Sequence, residues 1–570
     1  MSSDQNMKNY FLSGSLFGEI RNYRLFKLTA FNLMSFLGLL QIITALLFLA
    51  DVSISKFHFP LIFIGSLFFS YLISKDDRIN QFRIEFIYSV ILMIFLITFS
   101  IMISMYFYDF SWDGQAYHQE TIIQLKDHWN PTKKYLSFTI IMSEVCNYYS
   151  KGIETLQATV YAFTNKIETG KATNFIFFFT AFFSCYSFLI ERPNLSSIKA
   201  LWIGILVVCN PVFICQAFTY YIDAHIYFLY VIMIIAAINI FMGEKKPSLI
   251  IYGFSVVLLL ASKFIAIPIT GILIISLLII LGLYRKYQLF FKVLTISVFF
   301  SFIGLLIVGY QPYVTNTINH DSPFFPFAGR GVAQSAPLVD QSPQYFPDKN
   351  RIEKLFISIF SHTENIQHAE TSRSPELKIP FTIRKSELKI VWDQRIGAFG
   401  PFYSGAFVLS VILLILLLIK LEPKYKLYLI SIMLALICSV IIISEAWWFR
   451  YVPQLWLFAI VIIIFTEKKW KNTFSGIILL IIYCALALNI ILISAETLLW
   501  NYHVTKSVNE QLSYLQQSKK TVVANFSIFT SNRIRLLEHS IPYIQTTGPI
   551  DDSVSFSMPY SIVKMRYLSE

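Results

Sequence analysis

The stretch YDFSWDGQAYHQE, residues 108 to 120, decides how this chain is read. It sets acids, a histidine and aromatics directly against the end of an apolar run, Ile87 to Phe107. That run is about twenty residues long, enough to cross a hydrocarbon core of roughly 30 Å as a helix. The polar segment therefore begins at a membrane surface, where ionisable groups are costly to keep and point to function. Its side follows from the basic residues: Lys8, Arg21, Arg24 and Lys27 precede the first span, and Lys75, Arg78 and Arg83 precede the third. Positive loops stay in the cytoplasm, so the third crossing delivers Asp109 and Asp113 to the outside.

Composition agrees with this reading. Of 570 residues, 56% are hydrophobic, 17% aromatic and only 14% charged, which excludes a soluble globule. The net charge of +12 sits in short loops between apolar segments. Orientation and anionic lipid headgroups account for it, and nucleic acid is not an expected partner. Six cysteines, Cys146, Cys185, Cys209, Cys215, Cys438 and Cys484, fall in or beside apolar segments with no pair at metal-ligand spacing. They read as small buried hydrophobes. The polar N-terminal stretch lacks a small-residue cleavage site, so the first span is expected to act as an uncleaved anchor.

Windows of about twenty apolar residues give about thirteen spans. They centre near Leu39, Ile64, Met93, Phe179, Leu206, Val231, Val256, Ile275, Phe300, Ile412, Met433, Ile460 and Tyr483. Loops expected inside carry Lys75 with Arg78, Arg192 with Lys199, Lys245 with Lys246, Arg285 with Lys286, Lys424 with Lys426, and Lys468 with Lys469. The short outside loops hold chiefly Lys56, Lys263 and Arg450. The N-terminus is thus cytoplasmic and, after an odd number of crossings, the C-terminus external.

This divides the chain into six parts. Residues 1–107 hold a cytoplasmic tail and spans 1–3, and 108–172 form a first external loop with a helical pattern from Ile140 to Phe163, expected to lie on the membrane surface as amphipathic helices. Residues 173–310 hold spans 4–9, and 311–401 a second external loop, rich in Pro and Ser and helical near Ile352 to Phe360. Connections this long are usually functional or disordered. Residues 402–495 hold spans 10–13, and 496–570 a small external region with a helical start and a strand-like TVVANFSIFT.

The external residues carry the chemistry. Asp113 is the leading candidate base, because a partly desolvated carboxylate can accept a proton from an attacking hydroxyl. The competing reading makes Asp109 and Asp113 caps of a surface helix. Tyr117 and His118 follow Asp113 by four and five residues, so in a helix Tyr117 shares its face and His118 is adjacent, where it could orient a sugar or phosphate. Lys263, in LLLASKFIAIP, and Arg450, in SEAWWFRYVPQ beside Glu445, Trp447, Trp448 and Tyr451, suit a phosphate at the bilayer surface. Snorkelling and an aromatic belt are the plain alternatives. Arg330 lies between glycines that let backbone approach a ligand. Asp223, with Tyr220 and Tyr221, opens the sixth span, either as a site acid or as an acid favoured by the helix dipole.

The order of these segments resembles the GT-C superfamily of integral membrane glycosyltransferases. WDGQAYHQ resembles an Asp-x-x-x-Tyr-His element after the third span of bacterial members, and YYSKGIETLQA resembles a Tyr-Pro-Lys-Gly-x-Glu element. NPVFICQAFTYYIDA is similar to an Asn-Pro-Val plus Tyr-x-Asp pattern, and EAWWFRYVPQLW to a Trp-x-Arg-Tyr-x-Pro-Gln segment. Together they cover about Tyr108 to Phe458. The resemblance implies an all-α polytopic membrane protein with about thirteen transmembrane helices, a polyprenyl-phosphate-linked sugar as donor, and a glycan, lipid or protein as acceptor at the outer face of a bacterial plasma membrane. It implies Asp113 as general base and makes Lys151, Glu154, Asp223 and Arg450 site residues; the residues read above and their neighbours, Asp109, Tyr117, His118, Tyr221, Lys263, Arg330, Trp448 and Gln454, complete the set expected around the substrates. Ser150 stands where the family has proline, and Asp113 is followed by Gly114 rather than a second acid. No metal ligand is assigned, and a divalent cation is left open. An envelope polysaccharide polymerase would share the many spans and the large loop. A lipid-linked saccharide flippase would instead call for repeated halves and charges within spans.

Overall fold

The computed structural model describes residues 23–75, 79–191, 195–243, 246–331, 346, 348–363, 375–388, 392–467, 474–553 and 555–568. Several expected features, among them Lys8, Arg21, Arg78, Arg192, Lys245, Lys468, Lys469 and most of the proline-rich part of the second loop, lie outside these residues.

The apolar runs fold as helices: α1 (Tyr23–Leu49), α2 (His58–Ser74) and α3 (Ile79–Tyr106) come first. The first loop holds α4 (Gln119–Lys126), α5 (Ser143–Tyr148) and α6 (Gly152–Thr164). Then follow α7 (Ala172–Ile190), α8 (Ser197–Val208), α9 (Pro211–Gln216), α10 (Asp223–Phe241), α11 (Lys246–Ser262), α12 (Ala266–Leu283) and α13 (Tyr287–Phe302). The second loop contributes α14 (Thr315–His320) and α15 (Arg351–Phe360). The bundle closes with α16 (Tyr403–Lys420), α17 (Pro423–Ile441), α18 (Leu457–Glu467) and α19 (Phe474–Ser518). All thirteen expected centres fall on helices. Among the described residues nine helices are long and apolar enough to cross a membrane, whereas α2, α8, α11 and the helical stretch ending in α18 are shorter. Twelve residues of α8 rise about 18 Å, well under a hydrocarbon core.

The bundle has two chemically distinct ends. At one, Arg24 pairs with Glu85 at 3.3 Å, Lys27 with Glu191 at 3.6 Å, and Lys199 with Glu467. At the other gather the first loop, the second loop and the C-terminal region. Arg24, Lys27 and Lys199 thus mark the first end, and the candidate site lies at the second.

Two expectations are corrected here. Helix α6 does not lie on a surface: Gly152 to Tyr161 are all buried, because α1, α2, α4 and α11 pack around it. The C-terminal region has the strand expected within TVVANFSIFT. It carries a four-stranded sheet, β1 (Val522–Asn525), β2 (Tyr543–Gln545), β3 (Phe556–Ser557) and β4 (Lys564–Tyr567), in the order β2-β1-β4-β3. β1 runs parallel to β2, pairing Val522 with Tyr543, and antiparallel to β4, pairing Val522 with Tyr567. A stripe on α19, Val504, Val508, Leu512 and Leu515, packs with Val522, Ala524, Val563 and Met565 in a second core, spaced so that one helix face meets the sheet. The expected boundary at 495/496 falls inside α19, a continuous helix of 45 residues.

Candidate functional site

The segment after α3 is not a capped surface helix. Asp113 has helical backbone angles and its side chain caps nothing. Residues Gly114–His118 form a single π turn, with the Gln119 N–H bonded to the Gly114 carbonyl. Such turns widen the helix locally and recur at functional sites. Gly114 is required by space, since a Cβ there would run into the Asp109 carboxylate and the Ser111 hydroxyl. The turn directs Asp113, Tyr117 and His118 into a cavity of about 890 Å³.

The opposite wall comes from the link between α17 and α18. There Phe449–Tyr451 makes a 3₁₀ turn, and the Phe449 and Arg450 N–H groups donate to the carbonyls of Arg395 and Gln394, at 3.3 and 3.1 Å. This contact stitches the second loop to the site. Arg450 sits among three carboxylates: Nη1 lies 3.0 Å from Asp113 and 3.5 Å from Asp223, and Nε lies 2.9 Å from Asp393. Its guanidinium stacks over Tyr221, Trp448 and Tyr451 at 4.7 to 5.0 Å. The Trp448 indole N–H donates to Asp393 at 3.0 Å, and Lys263 donates to Asp223 at 2.7 Å. Burial, with Asp113 nearby, pushes the Tyr117 and Tyr221 phenols well above their ordinary range, so both remain neutral donors.

Helix α6 supplies the third wall. Glu154 Oε1 lies 2.7 Å from His118 Nδ1. Lys151 sends its ammonium to the carbonyls of Tyr149 at 2.7 Å and Asn147 at 3.3 Å, and to Gln311 Oε1. Burial lowers the Lys151 amine from an ordinary 10.5 to about 7, opposed by the field of Cys146 and Glu154. Among the cavity's lining residues, four acids (Asp113, Glu154, Asp393, Glu445) face four cations (Lys151, Lys263, Arg395, Arg450) within an aromatic shell.

Nine of the candidates, Asp113, Tyr117, His118, Lys151, Glu154, Tyr221, Lys263, Trp448 and Arg450, line this cavity. Asp223 stands just behind the lining, holding Lys263, Gln216 and Arg450. Three candidates do not belong to it. Asp109 is fully buried on the far side of its segment, where it accepts from the N–H groups of Ser111 and Tyr220 and from the Gln119 amide. Gln454 is buried against helix α17, donating to the Ser439 carbonyl. Arg330 is exposed, bonded to the Asn319 carbonyl and 3.5 Å from Asp321. Asp393, Arg395 and Trp392 line the cavity and were missed by the sequence reading. The segment VWDQRIGAFG carries acids and bases without the apolar periodicity that placed the other motifs.

Behind the cavity segment, helix α20 (Arg533–Glu538) of the C-terminal region locks into the first loop. Arg533 pairs with Glu120 and Arg535 with Glu168 at 2.9 Å, while Asn532 donates to Gln115 at 3.0 Å. Among the described residues, no group of three or more His, Cys, Asp or Glu side chains is arranged to hold a metal ion. The three aspartates converge instead on Arg450.

Compared with models of known protein families and with curated proteins, the chain matches none of either. Fold and cavity define a class: a multi-pass membrane protein of apolar helices, with a charged, aromatic-lined cavity at one end of its bundle.

Proposed function

We propose that this protein is a GT-C-type glycosyltransferase that moves a sugar from a polyprenyl-phosphate donor to a hydroxyl of a glycan, lipid or protein at the outer face of a bacterial plasma membrane. In this reading all thirteen apolar segments cross, with the four shorter helices completed by adjoining turns, the N-terminus cytoplasmic and the C-terminal sheet external. The observation that carries it is the convergence of four sequence motifs, separated by up to 337 positions, on one cavity through the Asp113 to Arg450 ion pair. The cavity opens where apolar helices meet the polar loops, the level at which a lipid-linked phosphate lies.

The arrangement suits a single inverting displacement. The acceptor oxygen attacks the anomeric carbon, the bond from that carbon to the phosphate oxygen breaks, and its electron pair leaves with the lipid phosphate. Asp113 takes the hydroxyl proton: its Oδ2 is held by Arg450, while Oδ1 has no hydrogen-bond partner among the described residues. Lys263, paired with Asp223, and Arg395, paired with Asp393, bring positive charge to the cavity wall where the departing phosphate is to be neutralised, and ten aromatic side chains, Trp112 and Trp448 among them, can stack on a sugar.

The test compares envelope glycans and lipid-linked saccharides in cells carrying wild type or Asp113→Asn at matched membrane levels. Loss of a sugar from a glycan with accumulation of its lipid-linked donor is the expected outcome. Unchanged glycans and lipid pools would overturn the reading.

A further inference from the structure

The pair His118 and Glu154 is not used by the displacement just described. Both side chains are 5% exposed, and both line the cavity. They come from different elements, the π turn and helix α6, and meet through one contact, Nδ1 to Oε1 at 2.7 Å. That contact fixes the imidazole and leaves its Nε2 with no hydrogen-bond partner among the described residues. The second carboxylate oxygen, Glu154 Oε2, is buried and also unpartnered.

A buried carboxylate oxygen without a donor is costly to leave unmet. The cation beside it in sequence does not meet it. Lys151, three residues away on the same wall, spends its three ammonium donors on Asn147, Tyr149 and Gln311, all neutral acceptors. Tyr221 stands 6.3 Å from the His118 ring, centroid to centroid, and closes the subsite with an aromatic face. One wall of the cavity therefore presents a carboxylate acceptor and an imidazole nitrogen side by side, next to a ring on which a sugar can stack.

We propose that Glu154 and His118 form a hydroxyl-reading subsite that binds a ring hydroxyl, or two neighbouring ones, of the sugar taken into the cavity. The proposal rests on the reading of the cavity as a sugar site, and assigns this pair to recognition while Asp113 handles the proton. Glu154 Oε2 accepts the hydroxyl proton in a hydrogen bond, and His118 Nε2 bonds the same oxygen or its neighbour. A sugar lacking that hydroxyl leaves the buried Glu154 Oε2 unmet, and sites built this way reject such analogues by up to about 10⁴- to 10⁵-fold.

The experiment uses the full-length protein in lipid vesicles with a polyprenyl-phosphate hexose and its analogues, each lacking one ring hydroxyl. Transfer is followed as kcat/KM, and binding by quenching of tryptophan fluorescence. The expected result is a sharp drop in both at one or two adjacent ring positions, with Glu154→Leu and His118→Leu erasing the preference at those positions only. Glu154→Gln replaces the open oxygen with an N–H group and serves as the milder variant should Leu not fold. The wild-type series needs no folded variant to decide whether a hydroxyl is read. Equal handling of all analogues by wild type, or an unchanged preference in the variants, overturns the subsite. Selective binding that Glu154→Leu abolishes, without transfer by wild type, keeps the subsite and overturns the transferase reading instead.

Discussion

Asp109 and Asp113 stand four residues apart in one segment and meet opposite environments. Asp109 turns away from the cavity, fully buried, with donors from Ser111, Tyr220 and Gln119 around its carboxylate. Burial pushes its carboxyl up, and Lys171 and the Ser111 bonds pull against that rise. Asp113 faces the cavity, with one oxygen on Arg450 and the other open. A carboxylate surrounded by fixed donors has no lone pair to offer a substrate, whereas one held on a single side keeps its reactivity and loses only its mobility. The difference separates architecture from chemistry within a single turn and a half of chain.

The largest expected effect sharpens the contrast from the cavity side. Asp113→Asn should lower the transfer rate by about 10²- to 10⁴-fold, the usual weight of a general base, while thermal unfolding in detergent barely moves. An equal loss of stability would place Asp113 with Asp109 as architecture. From the other side, Arg535→Met should destabilise the protein by about 1.5–3 kcal/mol, because it removes two charge-assisted hydrogen bonds from the buried Glu168, which keeps Lys171 as its remaining cation. Thermal unfolding measures this, and a small change would dissolve the comparison.

Lys151 tests whether the cavity wall holds a charge at a cost. Unfolded, its amine keeps the ordinary 10.5; folded, burial holds it at about 7. Between those values the unfolded chain binds the extra proton, so stability should rise with pH across that window, by an amount on the order of a few kcal/mol. Lys151→Met should flatten the rise in unfolding midpoints measured from pH 7 to pH 10. The smallest effect belongs to Arg330→Ala, which should leave transfer unchanged and stability within about 0.5 kcal/mol, as for an exposed side chain away from any site.

Much of this was legible in the sequence because the bilayer imposes length and polarity on each segment. The apolar runs marked the helices, and the acids and cations at their ends marked the cavity. Facing was not legible: Asp109 and Gln454 are of the right type and in the right motifs, yet which side of a turn a residue takes depends on packing partners far along the chain. Asp393 shows the reverse. It reaches Arg450 from 57 positions away, out of a loop with no periodicity, and only the pairing of residues 394 and 395 with 449 and 450 brings it in. Helix α6 read as amphipathic because its polar residues, Glu154 and Gln157 among them, imply water, whereas the structure buries both.

Helix α19 has a mechanical consequence. Its 45 residues span about 68 Å without interruption, carrying the chain from the bundle into the sheet that backs the cavity segment. The sheet's height and angular phase are therefore geared to the bundle: each residue added to or removed from the helix would shift the sheet by about 1.5 Å and swing it by about 100°. A length change that a flexible tether would absorb becomes, on this shaft, a rotation of Arg533 and Arg535 away from Glu120 and Glu168.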